Sequence, residues 1–196
     1  MPKIFSTEKK QALYALLKKN CLRLMKESGY KGLSIRELAR LTGISAGTFY
    51  NFYPSKEALL LAMMGDCREA LQARFAALAR GGRGVGREEF VELYFDFFVA
   101  DTENVLRYLS RDDLTALLLR ADGGGTAETI QSGMAGNAAF LRNPKRNINF
   151  NAVMNLTQLI NLCLENKDLL VEDELNNTIK TLLNNIADEI FEEDAE

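Results

Sequence analysis

Helical periodicity runs through almost all of this 196-residue chain, and little in it can make a sheet. Its three prolines stand at positions 2, 54 and 144, so long stretches lack the residue that most often breaks a helix. No run alternates apolar and polar residues between hairpin turns, the pattern a half-buried strand needs. From Thr7 to Ser28 the residues Leu13, Leu16, Leu17, Cys21 and Leu24 recur mostly at steps of three and four, one stripe of an amphipathic helix. Gly29 is suited to end it, because glycine tolerates the left-handed conformation. Further helices are predicted over 55–79, 87–100, 103–120 with a break, 126–142, 149–165 and 172–193. Gly123–Gly125 and Asn143–Asn147 punctuate them. The expected architecture is all-α, with about nine or ten helices.

Charge divides the chain. Residues 1–56 hold eleven Lys or Arg against three acids, a local balance of +8, and the remaining 140 residues carry −11. A cationic amino-terminal module on an acidic body suits a polyanion such as a phosphate backbone. Nothing approaches the ~18 consecutive apolar residues of a membrane span, and the first residues lack a signal peptide's apolar core. A cytoplasmic, nucleoid-associated protein is the expectation. Cys21, Cys67 and Cys163 form no CxxC pair and histidine is absent. Without these, a Cys/His zinc site and imidazole base catalysis lose their ligands and base. No metal, cofactor or catalytic residue is expected, and the chain reads as a non-enzyme. The thiols read as small buried hydrophobes.

Residues 34–53 carry the most information. Ser34-Ile35-Arg36-Glu37 has the form of a capping box, opening a helix to about Leu41. Thr42-Gly43-Ile44 makes a turn, Ser45 caps a short helix, and Pro54-Ser55-Lys56 breaks that helix and starts the next. Leu38, Ala39, Ile44 and Phe49 face inward as a small core, which holds the short helix with one face projecting. Its outward residues are Ser45, Ala46, Gly47, Thr48, Tyr50, Asn51 and Phe52, with no acid among them. Flanked by Arg36, Arg40 and Lys56, that face fits a DNA major groove. Thr48 and Asn51 are placed to reach base edges.

The string Ile44-Ser45-Ala46-Gly47-Thr48-Phe49-Tyr50-Asn51-Phe52-Tyr53-Pro54-Ser55-Lys56-Glu57-Ala58-Leu59, preceded by the helix Ser34–Gly43, resembles the signature of the tetracycline-repressor (TetR) family. The likeness covers about residues 7–60. It implies a DNA-binding domain over 1–56 and a helical ligand-binding and dimerisation domain over 57–196. Thr48, Tyr50 and Lys56 resemble the family's phosphate-contacting groups, and Arg36, Ala46, Gly47 and Asn51 occupy places that approach bases. Ser45 and Phe52 complete the expected DNA-binding set. Phe52 precedes Tyr53 where many relatives reverse the aromatic order, which leaves its role open. Phe49 and Tyr53 look like core packing.

The resemblance further implies a homodimer built by the last two long helices. Their composition supports this separately, because Phe150–Leu164 and Leu175–Ile190 present wide apolar arcs suited to burial on two sides. Met154, Leu159, Ile179, Leu182, Leu183, Ile186 and Ile190 are the expected interface residues, with a monomer core the alternative use of those arcs. Phe90, Tyr94, Phe97, Phe98 and Tyr108 are candidates to line an apolar ligand pocket, or else simply fill a core. Arg107, Arg111 or Arg120 are placed to meet an anionic effector. Gly81–Gly86 is a connecting loop, since no strand precedes it and no GK[ST] follows. The resulting expectation is a dimeric regulator, most simply a repressor, that leaves a palindromic duplex operator when a small molecule binds its body. The alternative is a ligand-independent architectural DNA-binding protein whose body docks another protein.

Overall fold

The computed structural model describes residues 6–120, apart from the side chains of Leu118 and Leu119, and residues 136–192. Among them the fold is all-helical: α1 (Thr7–Gly32), α2 (Ile35–Thr42), α3 (Ala46–Phe49), α4 (Lys56–Ala79), α5 (Arg87–Phe95), α6 (Arg111–Arg120), α7 (Phe150–Glu165) and α8 (Leu175–Ile190). Extended pairing among the described residues is confined to two isolated bridges, Val85 with Leu141 and Pro144 with Phe191. The helix predicted over 126–142 lies mostly outside the described residues, as does Gly123–Gly125. Its end, 136–138, is helical.

Two predicted helices are reshaped. Gly29 does turn out of the helix, at φ 65°, but one more helical turn follows to Gly32 before Leu33 N–H closes it on Tyr30 O. The segment after Phe95 winds into a π turn, Asp96–Ala100, and a separate 3₁₀ turn, Val105–Tyr108, precedes α6. Buried Asn104 explains the break. Its Nδ2 donates to Phe97 O at 2.8 Å and its Oδ1 accepts from Leu106 N–H at 3.1 Å. An asparagine that satisfies local backbone in this way competes with a continuous helix.

The chain forms two compact units, Met1–Asp66 with Tyr108–Gly124, and Cys67–Arg107 with Gly125–Glu196. The first thus takes in the start of α4 and also α6, where the sequence suggested a boundary after residue 56. In it α1 packs on α2 and α2 on α3. Leu17, Cys21, Leu24 and Met25 of α1 are buried, as are Leu38, Ala39, Phe49, Tyr53, Leu59, Leu60 and, on α6, Leu117. Leu16, placed on the stripe by its spacing, is exposed and Leu13 half-buried. Burial pushes the Cys21 thiol up to about 12, so it stays protonated and acts as a small apolar group.

In the second unit α8 packs on α7 and on α5. Ile179, Leu183, Ile186 and Ile190 are buried in this unit's own core, the alternative use of the apolar arcs. Leu182 and Met154 are half-buried, and Leu159 is exposed. Arg87 at the start of α5 fastens α8, donating to Asn184 Oδ1 at 2.7 Å and Asp188 Oδ1 at 2.5 Å. Phe90 and Tyr94 are buried with ring centroids 4.6 Å apart, and Phe97 and Phe98 are half-buried against the same core. All four pack in this core, and Phe90 and Tyr94 also border a small cleft in it. Tyr108, grouped with them from sequence, belongs to the first unit, where Lys26 Nζ lies 5.9 Å from its ring.

Candidate nucleic-acid interface

The turn between α2 and α3 is closed by backbone alone. Gly43 sits at φ 72°, its N–H bonds Arg40 O at 3.2 Å, and Ile44 N–H reaches Ala39 O at 3.0 Å. This pair of bonds ends a helix with a left-handed residue, a conformation that costs any residue with a Cβ about 1–2 kcal/mol. Ser45 then caps α3, its Oγ accepting Thr48 N–H at 3.0 Å and lying 2.8 Å from Thr48 Oγ1. After four residues the helix tightens, with Phe52 N–H on Phe49 O at 2.8 Å, and Ser55 caps α4 through Ala58 N–H at 3.1 Å. Beneath it, Asn20 Nδ2 donates to Thr42 Oγ1 at 3.2 Å and Thr42 Oγ1 donates to Leu38 O at 2.7 Å, a buried polar link that fixes α2 against α1. Ser34 occupies the position before α2 but makes no side-chain cap. Glu37 turns instead to Arg40, with bonds of 2.9 and 2.6 Å, so the predicted capping box is not formed.

The side chains expected to meet DNA divide into three groups. Ser45, Gly47, Tyr50, Asn51 and Arg36 are exposed, and Ala46 and Thr48 are half-buried on the same short helix. Tyr50 is 55% exposed, which leaves its hydroxyl and most of its ring free to touch a partner. Phe52 is half-buried with its ring edge-on to Tyr14 at 5.0 Å, and Tyr14 also packs on Tyr53 at 5.5 Å. Phe52 therefore has a packing role. Burial first, with the nearby Tyr14 and Asp66, pushes the Tyr53 hydroxyl up to about 12 and keeps it neutral.

Lys56 is the third case. Its ammonium lies 3.4 Å from both Tyr30 O and Leu33 O and 4.3 Å from the Tyr30 ring centroid. It therefore caps the carbonyl end of α1, where a cation is favoured by the helix dipole and by the ring face. Of the flanking cations named from sequence, Arg40 is held by Glu37 and Lys56 by α1. Arg36 is exposed and has no ion-pair partner among the described residues.

One constellation has no signal in the sequence. Tyr30 Oη donates to Glu57 Oε1 at 2.9 Å, and Arg120 Nη1 reaches the same oxygen at 3.1 Å from 63 residues away. It ties α6 to the start of α4. Burial pushes the Glu57 carboxyl up, but its own amide, Tyr30, Arg120 and Ser55 together outweigh that and hold it below its ordinary value. Burial and the Glu57 carboxylate raise Tyr30. Because folded Glu57 holds a proton less tightly than the unfolded chain does, its stabilising part is present above the ordinary carboxylate range. It is lost as pH falls through the lowered value. Thermal unfolding followed from about pH 7 to about pH 3 should show a decline that Glu57→Gln makes shallower. Parallel curves for the two proteins would rule the tie out as an acid-sensitive contact.

A tight turn closed at Gly43, a capped short helix and a polar, acid-free face define a helix-turn-helix domain. Residues 21–63 match the family described as bacterial regulatory proteins, tetR family. The chain is 45% identical over 96 residues to the uncharacterized HTH-type transcriptional regulator YuxN of Bacillus subtilis (strain 168). That match takes in 47% of this chain and 30% of the relative, so the chain covers less than a third of that protein's length. Among solved structures it is similar to a TetR transcriptional regulator from Rhodococcus sp. RHA1, at 17% identity and a TM-score of 0.49, covering 90% of this chain and 96% of that one. It is also similar to a TetR-family regulator from Streptomyces coelicolor A3, at 18% identity and a TM-score of 0.43, covering 95% and 99%.

Proposed function

We propose that this chain is a DNA-binding transcriptional regulator that docks α3 in the major groove of a duplex operator. The observation that carries this reading is the acid-free, exposed face from Ser45 to Asn51, held rigidly by the Gly43 turn and the Ser45 cap. Tyr50 supplies a phosphate contact, and Asn51 an amide suited to an adenine edge. Tyr50→Ala should weaken binding to every duplex by a similar factor. Asn51→Ala should instead erase about 1–3 kcal/mol of preference at one base pair. Operators mutated base by base and titrated against both variants separate the roles. An unchanged preference in Asn51→Ala would remove that residue from base reading.

Two copies would read two half-sites about one helical turn apart. The dimer face we assign centres on α7, where Leu159 and Leu162 are 46% and 42% exposed, with the half-buried Met154 and Leu182 alongside as candidates. Sedimentation of Leu159→Glu as a monomer would support it.

The reading extends to repression relieved by a small effector bound in the second unit. The cleft there, lined by Phe90, Tyr94, Asn137, Leu141, Phe150 and Ile190, encloses about 20 Å³, room for one water. An effector bound in this cleft must therefore open the core to enter. That tightness favours a second reading, in which the protein binds DNA without a ligand and its body docks another protein. Thermal unfolding against a metabolite panel, paired with operator titration, separates the two. Saturable stabilisation that also weakens operator binding favours the effector.

A further inference from the structure

The second unit carries nineteen acidic and eleven basic residues, a balance of −8, and yet it holds a group of exposed arginines with no ion-pair partner among the described residues. Two segments far apart in sequence form it. Arg80-Gly81-Gly82-Arg83-Gly84-Val85-Gly86 follows α4, and Leu141-Arg142-Asn143-Pro144-Lys145-Arg146 precedes α7. Backbone bonds stitch them together, Val85 N–H to Phe140 O at 2.7 Å and Arg142 N–H to Val85 O at 2.9 Å. The approach is closest at Gly84, where φ is +67° and glycine is favoured. A Cβ on Gly84 would lie 3.1 Å from the Arg142 amide nitrogen, and one on Gly86 would collide with the Arg142 guanidinium. Lys145 N–H bonds Ile190 O at 2.7 Å and anchors the second segment from its other side.

The cations here are used unequally. Arg87 is bound by Asn184 and Asp188, and Lys145 donates its ammonium to Asp188 O at 2.6 Å. The nearby Glu89 carboxylate accepts Gly86 N–H at 2.6 Å. Arg80, Arg83, Arg142 and Arg146 are all exposed, and none has an acid within ion-pair distance among the described residues. Four planar forks of this kind match phosphate oxygens in pairs.

We infer that these four arginines form a second polyanion-binding surface, separate from the helix-turn-helix, whose partner is the phosphodiester backbone of duplex DNA. Three observations select that partner. A protein interface has an apolar centre, but Val85 is fully buried and no large exposed apolar side chain lies in either segment. Single strands are gripped by stacking on exposed aromatics, and Phe140, the aromatic beside the patch, is half-buried. Exposed Gly81 and Gly82, between Arg80 and Arg83, have nothing within 4 Å of where a Cβ would stand, so a phosphate chain can come close there without regard to base sequence.

The test is the salt dependence of binding to a random-sequence duplex by the full chain. Each phosphate neutralised contributes about 0.9 to the slope of log K against log salt, so Arg83→Ala/Arg142→Ala should lower its magnitude by about 1.8. Arg80→Ala/Arg146→Ala should do the same, and it removes side chains that hold no other described contact, so folding is preserved. Arg83→Lys/Arg142→Lys, which keeps the charge, should retain the slope. An unchanged slope in the Arg80/Arg146 pair with unaltered helical circular dichroism overturns the assignment. So does stronger competition by poly-glutamate than by duplex. A failure here is distinguishable from failure of the helix-turn-helix reading, because preference for an operator over random duplex depends on Asn51 and not on these arginines.

Discussion

Replacing Phe49 by alanine should cost the amino-terminal unit about 3–5 kcal/mol, enough to unfold much of it at ordinary temperature. Phe49 is fully buried, and its ring contacts Tyr50 at 5.5 Å and Tyr53 at 6.2 Å. Its carbonyl also accepts from Phe52 and Tyr53, so the same residue ends α3 and fills the space beneath it. Removing the ring leaves a cavity that the short helix can collapse into only by abandoning its projecting face. Phe49→Leu, which conserves most of the volume, should cost under about 1.5 kcal/mol. Urea unfolding of both variants gives the comparison. Equal losses would mean that the ring's shape is unimportant and that the site is less tightly packed than its burial implies.

The second large effect is on binding with stability moving the other way. Gly47 is exposed on the second position of α3, and a Cβ placed on it would meet nothing nearer than Ser45 Oγ at 3.8 Å. Gly47→Glu therefore fits. It should stabilise the domain by about 0.5–1 kcal/mol, since any side chain improves on glycine in a helix and an acid near the amino end complements the dipole. The same carboxylate would face DNA phosphates, where like charges cost several kcal/mol, so affinity should drop at least about 100-fold. Gly47→Gln has the same shape without the charge and should lose far less. Electrophoretic mobility titration beside a melting curve checks both halves. Retained affinity in Gly47→Glu would show that this face does not meet DNA.

The helix-turn-helix was legible because its information is local. The Gly43 turn, the Ser45 cap and the burial of Leu38, Ala39 and Phe49 each follow from residues within a few positions. Longer-range pairings were not legible in this way. Arg120 meets Glu57 across 63 residues and Arg87 meets Asp188 across 101, and a lone arginine on a helix carries no mark of its partner. Lys56 was read as a phosphate ligand, and its contact with the end of α1 depends on tertiary approach. Ser34 and Glu37 had a capping-box spacing, but Arg40 three residues on offered the carboxylate a charged partner in place of a backbone amide. The apolar arcs of α7 and α8 admitted burial within the chain or between copies. Periodicity records that a face is covered and does not record by what.

The amino-terminal unit is discontinuous, since α6 completes a body whose other helices were made more than forty residues earlier. Grafting this reading head onto another protein would therefore demand two inserted pieces. A fragment cut after Asp66 would leave Glu57 and Tyr30 without Arg120. On the ribosome, the same logic delays completion of the head until the chain has grown past that arginine, by which time residues 67–107 of the acidic body already exist.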